Sequence, residues 1–331
     1  YFLARSVTVK YIQLYGQIPD KDVEELNFAG VQKTGLLTGP ECYDTLVAGE
    51  DTTVIGPDLQ PLFILRKGVV PAGLQAAMLP SFRKAAEQAG SLSNRGTAVM
   101  RGSSKPRLLL DGTMSNTIQV PTWEMEHLKD SRGRVQSKSA VVGFQDASPR
   151  FPFCRLTAFS KAQVGAWHWM TEYTKLVSKV FREAYPERYA AQLQAVEQTN
   201  PEFIIAGTVF TTVTVNRNWQ TAVHKDAGDL KTGFGCMGVL GNGKYKGLYF
   251  TYPRYRVAVD VQPGDVVINN VHEWHANTPV EDAQPGWERI SIVCYYREHM
   301  LNCGTAGQEQ QKMLDFVNTH PNAGRYIKVS G

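Results

Sequence analysis

The chain is short of the features that would mark a membrane, finger or repeat protein. No apolar run in its 331 residues approaches the ~20 residues that a membrane span needs, so a transmembrane reading fails. Five cysteines, Cys42, Cys154, Cys236, Cys294 and Cys303, are odd in number and include no C-x-x-C pair. That excludes a zinc finger, argues against a disulfide framework and predicts free thiols in a reducing compartment. No internal repeat or low-complexity tract is present, which excludes solenoids and compositional linkers. Neither sign of charge dominates: 35 Lys and Arg against 31 Asp and Glu leave a net charge of +4. Such a balance permits a polyanionic partner without requiring one. The first residues, Tyr1-Phe2-Leu3-Ala4-Arg5, lack an initiator Met and a signal-peptide pattern, and read as the start of a fragment.

What is present describes a soluble globular protein: 43% hydrophobic and 20% charged residues. The length suits one large or two ordinary domains. Residues 1–60 carry no chemistry motif and read as an accessory segment. Leu62–Leu65 predicts a buried strand, and Leu74–Gln88 a helix with one apolar face. Between 101 and 140 the chain turns basic, and Ser131–Lys138 reads as an exposed loop. Its Arg132, Arg134 and Lys138 are candidate phosphate contacts on DNA, the alternative being a solvated loop.

Arg150–Phe159 predicts a strand, and Ser160–Arg182 a helix whose Trp167, Met170, Tyr173, Leu176, Val177 and Val180 form a core stripe. His168 in that helix reads as partly buried and hydrogen-bonded. A second helix is expected over Pro186–Gln198, with proline suited to its first turn. From Phe203 to Arg297 the pattern becomes short strands between Gly, Asn and Pro turns: 204–215, 235–240, 248–252, 256–261, 265–269 and 289–296. The expected fold is therefore α+β, a double-stranded β-helix (jelly-roll) core over about 203–297 with flanking helices. The catalytic domain is expected over 61–300, and a tail over 301–331 with a short helix at Gln308–Val317.

The chemistry sits in His224-Lys225-Asp226-Ala227-Gly228-Asp229, after the β-branched run 210–215. On an extended strand, side chains alternate faces, so His224 and Asp226 would point the same way and reach one ion. A third ligand is expected from a later strand, after the Pro263-Gly264-Asp265 turn. There His272 and His275 compete, and His275 fits better because His-Ala-Asn-Thr-Pro leads toward a strand that opens with Arg289. Two histidines and one carboxylate with open positions select non-haem Fe(II) and O2 chemistry. The planar fork of Arg289 could pair with the carboxylate of an oxo-acid co-substrate.

Taken in order, Asn94–Ala98, Pro152–Thr157, Thr214–Asn216, His224-x-Asp226-x-x-Asp229, Gly247–Tyr249, Pro263–Asp265 and His275-x-Asn277-x-Pro279 resemble the TET/JBP family of Fe(II)-dependent nucleic-acid dioxygenases. The resemblance covers about residues 60–300 and is greatest to the green-algal branch, which modifies 5-methylcytosine in DNA with L-ascorbate as co-substrate. It implies Fe(II) at His224, Asp226 and His275, an oxo-acid contact at Arg289, and a base contact at Asp229. The last suits a carboxylate accepting from the cytosine N4 amino group.

Arg289 lies fourteen residues after His275, a longer spacing than the usual family pattern, which leaves 2-oxoglutarate and another co-substrate both open. Asn216 is a further candidate substrate contact, its alternative being to end the strand before the ligand loop, as for Arg217. For Arg95 and Arg155 structural salt bridges are expected ahead of DNA contacts. The implied partner is double-stranded DNA containing 5-methylcytosine. The implied setting is a nuclear, monomeric enzyme with no membrane association. The rival readings are an Fe(II) oxygenase on a non-nucleic-acid substrate and a β-barrel binding module.

Overall fold

A short apolar strand is stable in a sheet sandwich when both of its faces are covered, and Pro61–Arg66 and Val266–Asn269 each bury four consecutive side chains. They are the fourth and fourteenth strands of a computed structural model that describes residues 8–23, 42–88, 107–108, 114–115, 139–149, 151–219, 221 and 223–320. The strands before the helical region are β1 (Lys10–Gln13), β2 (Thr45–Val47), β3 (Thr52–Ile55), β4 (Pro61–Arg66), β5 (Arg107–Leu108), β6 (Met114–Ser115), β7 (Ser139–Gln145) and β8 (Arg155–Leu156). Those after it are β9 (Thr212–Arg217), β10 (Gly235–Asn242), β11 (Tyr245–Gly247), β12 (Phe250–Tyr252), β13 (Val257–Val259), β14 (Val266–Asn269), β15 (Ala276–Asn277), β16 (Val280–Ala283) and β17 (Glu288–Tyr295). The α-helices that lie wholly within the described residues are α1 (Ala72–Gln88), α2 (Ala158–Ala162), α3 (Val164–Ala184), α4 (Pro186–Gln198) and α5 (Ala306–Thr319). Among the described residues no helix is long and apolar enough to cross a membrane.

The chain forms two compact units. The first takes residues 1–140, 214–227 and 235–293; the second takes 141–213, 228–234 and 294–331. In the first, one sheet runs β1-β3-β4-β14-β10-β17 and a second runs β15-β12-β13-β2. Their apolar faces share one core, with Val54, Phe63, Leu65, Met237, Val239 and Val267 from the one sheet and Phe250, Tyr252, Val257 and Val259 from the other. Phe63 and Tyr252 stack at 5.3 Å between centroids. Phe63 is fully buried, so Phe63→Ala would cost about 3–5 kcal/mol. This is the jelly-roll core of an α+β fold. The early strands belong to it: β1 pairs parallel with β3, and β2 parallel with β13.

Two turns set where the later strands enter. Gly264 in the Pro263-Gly264-Asp265 turn has φ +94°, and a Cβ there would meet the Val70 carbonyl oxygen at 2.9 Å. The Asp265 carboxylate then accepts from the backbone amides of Gly68 (2.9 Å) and Gln262 (2.8 Å) and from Lys67 Nζ (2.5 Å), fixing the start of β14. Gly247, at φ +90°, passes so close to β16 that a Cβ would meet the Pro279 carbonyl oxygen. Glycine alone tolerates both the handedness and the approach. Helix α1 packs against β10 through Met78, Leu79, Phe82, Ala85 and Ala86, all buried and spaced for one helical face.

In the second unit, α3 buries Met170, Tyr173, Thr174, Val177, Ser178 and Phe181, a three-and-four spacing that matches the expected stripe in part. Trp167, Leu176 and Val180 are outside it: all three are half-buried at the stripe's margin. The expected single helix from Ser160 breaks at Gln163, where φ −120° and ψ 60° leave the helical region between α2 and α3. The strand expected over 150–159 shrinks to the two residues of β8, because Thr157 caps α2 by accepting from the Ser160 amide. Likewise β9 starts at Thr212 instead of 204, since a turn in which the Thr208 amide donates to the Ile205 carbonyl at 3.1 Å, with Gly207 at φ +75°, interrupts the run. His168 is exposed, not partly buried. Helix α5 opens with a full capping box between Thr305 and Gln308.

The cysteine expectation needs correction. Cys154 and Cys303 form a disulfide across 149 residues of sequence, with Cα atoms 5.8 Å apart, while Cys42, Cys236 and Cys294 are free and buried. The odd count and the absence of C-x-x-C are uninformative about a pair that only tertiary contact brings together.

Candidate metal centre

All three expected ligands lie in the first unit. His224 and His275 form an isolated antiparallel bridge, each backbone amide donating to the other's carbonyl at 3.0 Å. Their imidazoles therefore project side by side, with centroids 4.2 Å apart. Asp226, whose amide donates to the Val271 carbonyl at 3.0 Å, brings its two oxygens to opposite imidazoles. Oδ1 is 3.5 Å from His224 Nε2 and Oδ2 is 3.7 Å from His275 Nε2. One ligand atom from each residue lies within 4.8 Å of the others, a spacing that one ion could close.

The protonation states suit a metal. Burial first, and then the adjacent His224, push the His275 imidazole down to about 4. It is thus neutral near pH 7, and its Nδ1 lies 2.8 Å from the Glu273 carbonyl oxygen. A proton on Nδ1 leaves the Nε2 lone pair facing Asp226, the second-partner arrangement common around ligating histidines. Phe250 packs on the same ring at 5.3 Å and closes its apolar side. The donor set, two imidazoles and one carboxylate, fits Fe(II) with positions to spare.

The route from sequence to this geometry is corrected in one respect. The segment 223–226 is not an extended strand: only His224 makes a bridge pair, so alternation along a ladder is not what aligns His224 with Asp226. His272 sits in a turn, its amide donating to Asn270 Oδ1 at 3.1 Å, and it is not in the ligand cluster.

Arg289 also lies in the first unit and is 1% exposed. Its backbone is held by Asn218, whose Oδ1 accepts from the Arg289 amide at 2.7 Å and whose own amide donates to the Arg289 carbonyl at 2.8 Å. Asn218 does so at φ +46°, a left-handed conformation that asparagine tolerates. The guanidinium Nε and Nη2 are buried without a hydrogen-bond partner, as is the neighbouring Tyr245 hydroxyl. Burial pushes the Tyr245 phenol up to about 12, with Arg289 opposing the rise. Beside Arg289 in sequence, the buried Glu288 carboxylate is taken by Arg83 at 2.6 Å and by Arg217 at 2.7 Å. Its charge is thereby neutralised by other cations.

The remaining candidates are placed differently. Asn216 Oδ1 accepts from Ser139 Oγ at 2.5 Å, a structural partner at the end of β9. Asp229 is buried in the second unit and bridges Arg297 through the backbone, and Arg297 Nε donates to Asp146 at 2.6 Å. Arg155 donates to Gln145 Oε1 at 2.7 Å and lies over the Phe151 ring at 4.6 Å, a structural role. Arg132, Arg134, Lys138 and Arg95 lie outside the described residues. Sequence reasoning missed Asn218 and Tyr245. An asparagine directly after a strand is the only signal that could have marked the first, and nothing local marks the second.

Comparison with known proteins agrees with this geometry. Residues 142–298 match the Tet_JBP family model, the oxygenase domain of the 2OGFeDO superfamily. The thymine dioxygenase JBP1-B of Trypanosoma cruzi is 39% identical over 164 residues, which is 48% of this chain and 19% of that protein. The bifunctional helicase and thymine dioxygenase JBP2 of Leishmania braziliensis is 31% identical over 187 residues, 56% of this chain and 17% of that protein. The chain thus spans about a fifth of the length of these curated relatives. The solved structure of NgTET1 in complex with 5mC DNA matches 89% of this chain and 99% of that one, with a TM-score of 0.50 at 14% identity, a likeness of fold. The matched segment contains His224, Asp226, His275 and Arg289, and gives the chain a TET/JBP-type oxygenase domain over residues 142–298.

Proposed function

We propose that the protein is an Fe(II)- and O2-dependent enzyme that modifies the C5-methyl group of 5-methylcytosine in double-stranded DNA. The observation that carries this reading is the convergence of His224, Asp226 and His275 within 4.8 Å in a chain with this oxygenase domain. Fe(II) held there supplies activation of O2 toward an unreactive methyl carbon. The protein's own residues do the rest. A base in a duplex cannot reach a barrel interior, so the nucleotide must be flipped out and read on its Watson–Crick edge. Asp229 is the residue proposed to read it. A carboxylate accepts from the N4 amino group of cytosine but opposes the O4 acceptor of thymine, and this favours 5-methylcytosine over thymine, the base named for the JBP relatives. Arg132, Arg134 and Lys138 are proposed to grip phosphates. A DNA substrate makes the nucleus the expected compartment, and the site, lying within one chain, needs no second copy.

For the co-substrate the family branch favours L-ascorbate, part of whose carbon skeleton would join the methyl group as a glyceryl adduct. A second reading, 2-oxoglutarate yielding 5-hydroxymethylcytosine, is favoured by the buried Arg289, whose Nε and Nη2 are free of protein acceptors. Those two atoms form one edge of the guanidinium fork, the edge that pairs bidentately with a carboxylate.

The test is to incubate anaerobically purified protein and Fe(II) in air with duplexes carrying 5-methylcytosine or thymine. Ascorbate or 2-oxoglutarate is the sole co-substrate, and the digested nucleosides are weighed by mass spectrometry. A cytosine adduct of added carbons with ascorbate alone is the expected result. A hydroxymethyl product that requires 2-oxoglutarate would select the second reading. Conversion of thymine alone would overturn the role of Asp229, and no product under any condition would return the protein to the non-nucleic-acid oxygenases.

A further inference from the structure

The two ligand-bearing segments are joined by a residue that precedes the matched oxygenase domain by more than a hundred positions. Lys225 stands between His224 and Asp226, and Trp274 immediately precedes His275. Both side chains end on one atom: Asp20 Oδ1 accepts from Lys225 Nζ at 2.8 Å and from Trp274 Nε1 at 2.8 Å. Lys225 also lies over the Trp274 ring, 5.0 Å from its centroid. Arg254 Nη1 is 3.4 Å from the same Asp20 oxygen and grips Glu273 at 2.8 and 3.0 Å. Glu273 accepts in addition from the Tyr255 hydroxyl (2.8 Å) and the Trp274 amide (2.8 Å), and its carbonyl faces His275 Nδ1.

The backbone around Asp20 is itself anchored. Val23 is fully buried with Val223 and Ala276, and Ile18 and Trp274 pack on them. The Ile18 amide donates to the Arg254 carbonyl at 2.6 Å, and Arg254 Nε returns a bond to the Ile18 carbonyl at 3.2 Å.

We infer that Asp20 is a positioning residue of the metal centre, its carboxylate tying the segment of His224 and Asp226 to the segment of His275. The inference rests on the metal reading given above. Its physical ground is that the two backbones meet at one bridge pair flanked by single bonds, Asp226 to the Val271 carbonyl at 3.0 Å and Asn277 to the Thr221 carbonyl at 2.8 Å, without a regular ladder to fix their relative twist. Two side-chain tethers meeting on one oxygen supply a further constraint. As an ion pair Asp20 adds little to stability, being half-exposed. Its effect is expected on ligand geometry, where outer partners typically change metal affinity by about 10–100-fold.

The test is an anaerobic Co(II) titration followed by visible absorption, with thermal unfolding of the metal-free proteins alongside. Asp20→Ala is expected to bind Co(II) at least tenfold more weakly and with an altered spectrum. Asp20→Asn, which keeps an acceptor for Trp274 but loses the charge facing Lys225, should fall between it and the parent. The control is Asp44→Ala, which removes an exposed ion pair to Arg256 in the same unit (2.6 and 2.7 Å) and should bind Co(II) as the parent does. Binding by Asp20→Ala within twofold of the parent would overturn the inference, as would an equal loss in Asp44→Ala. Should Asp20→Ala fail to fold, Asp20→Asn carries the same criterion. A parent protein that takes up no Co(II) would sink the metal reading itself, and this inference with it.

Discussion

Two buried charges, one in each unit, are treated in opposite ways. Glu309 in the second unit is 2% exposed and fully engaged. It accepts from the Cys154 amide at 2.6 Å, the Gly304 amide at 2.9 Å and Lys312 Nζ at 2.6 Å. Arg289 in the first unit is 1% exposed, yet two of its guanidinium nitrogens have no hydrogen-bond partner. Burying a charge is costly unless it is paired. The first residue meets that cost within the chain. The second is the residue proposed to meet an anion from outside, and on that proposal the contrast separates a structural charge from a binding one.

Removing the metal ligands should give the largest effect: Asp226→Ala is expected to lose Co(II) uptake and turnover to background, while Glu309→Gln keeps both. Next, Arg289→Met should lower kcat/KM for the co-substrate roughly 100-fold, mostly through KM, the loss of about 2–5 kcal/mol typical of a truncated buried charge pair. Its melting temperature should hold or rise, because Nε and Nη2 give up no carboxylate partner and only the weaker attraction to Tyr245 and Asp260 is lost. A clear fall would make Arg289 a structural charge like Glu309 and erase the contrast.

The remaining effects are smaller. Cys303→Ser opens the loop closed with Cys154 and should cost about 2–4 kcal/mol; thiol titration of the denatured parent should find the free Cys42, Cys236 and Cys294 before reduction and all five cysteines after. Glu309→Gln should cost about 2 kcal/mol with turnover unchanged at temperatures where the variant is folded. Burial raises the Glu309 carboxyl, but bonds from Lys312, Cys154 and Gly304 outweigh it and hold the group below its ordinary 4.5. A carboxylate so depressed stabilises the fold above about pH 4.5 and ceases to as pH falls through its lowered value. Denaturant midpoints measured from pH 6 to pH 3 should therefore fall less steeply for Glu309→Gln than for the parent. Last, Asp44→Ala should leave the melting temperature unmoved, as expected of an exposed ion pair.

Features written in contiguous residues are legible in the amino-acid order itself. Helix Pro186–Gln198 appears with its expected bounds, and the strand Leu62–Leu65 lengthens by one residue at each end. Caps are harder to read. Thr157 could equally end a strand or start a helix, and tertiary packing chooses the helix. The preference for His275 over His272 rests on the residues that follow it, and of the two only His275 stands in the ligand cluster.

The sequence by itself determined the donor types, the short apolar runs that make a sandwich core, and the turn residues that punctuate it. Each of these depends on neighbours within a few positions. Tertiary structure alone decided which groups meet: Asp20 with Lys225 and Trp274, Asn218 with Arg289, and Cys154 with Cys303. Such pairs are separated by 71 to 254 positions. No local propensity encodes them, because contact at that range is set by the packing of whole sheets and helices.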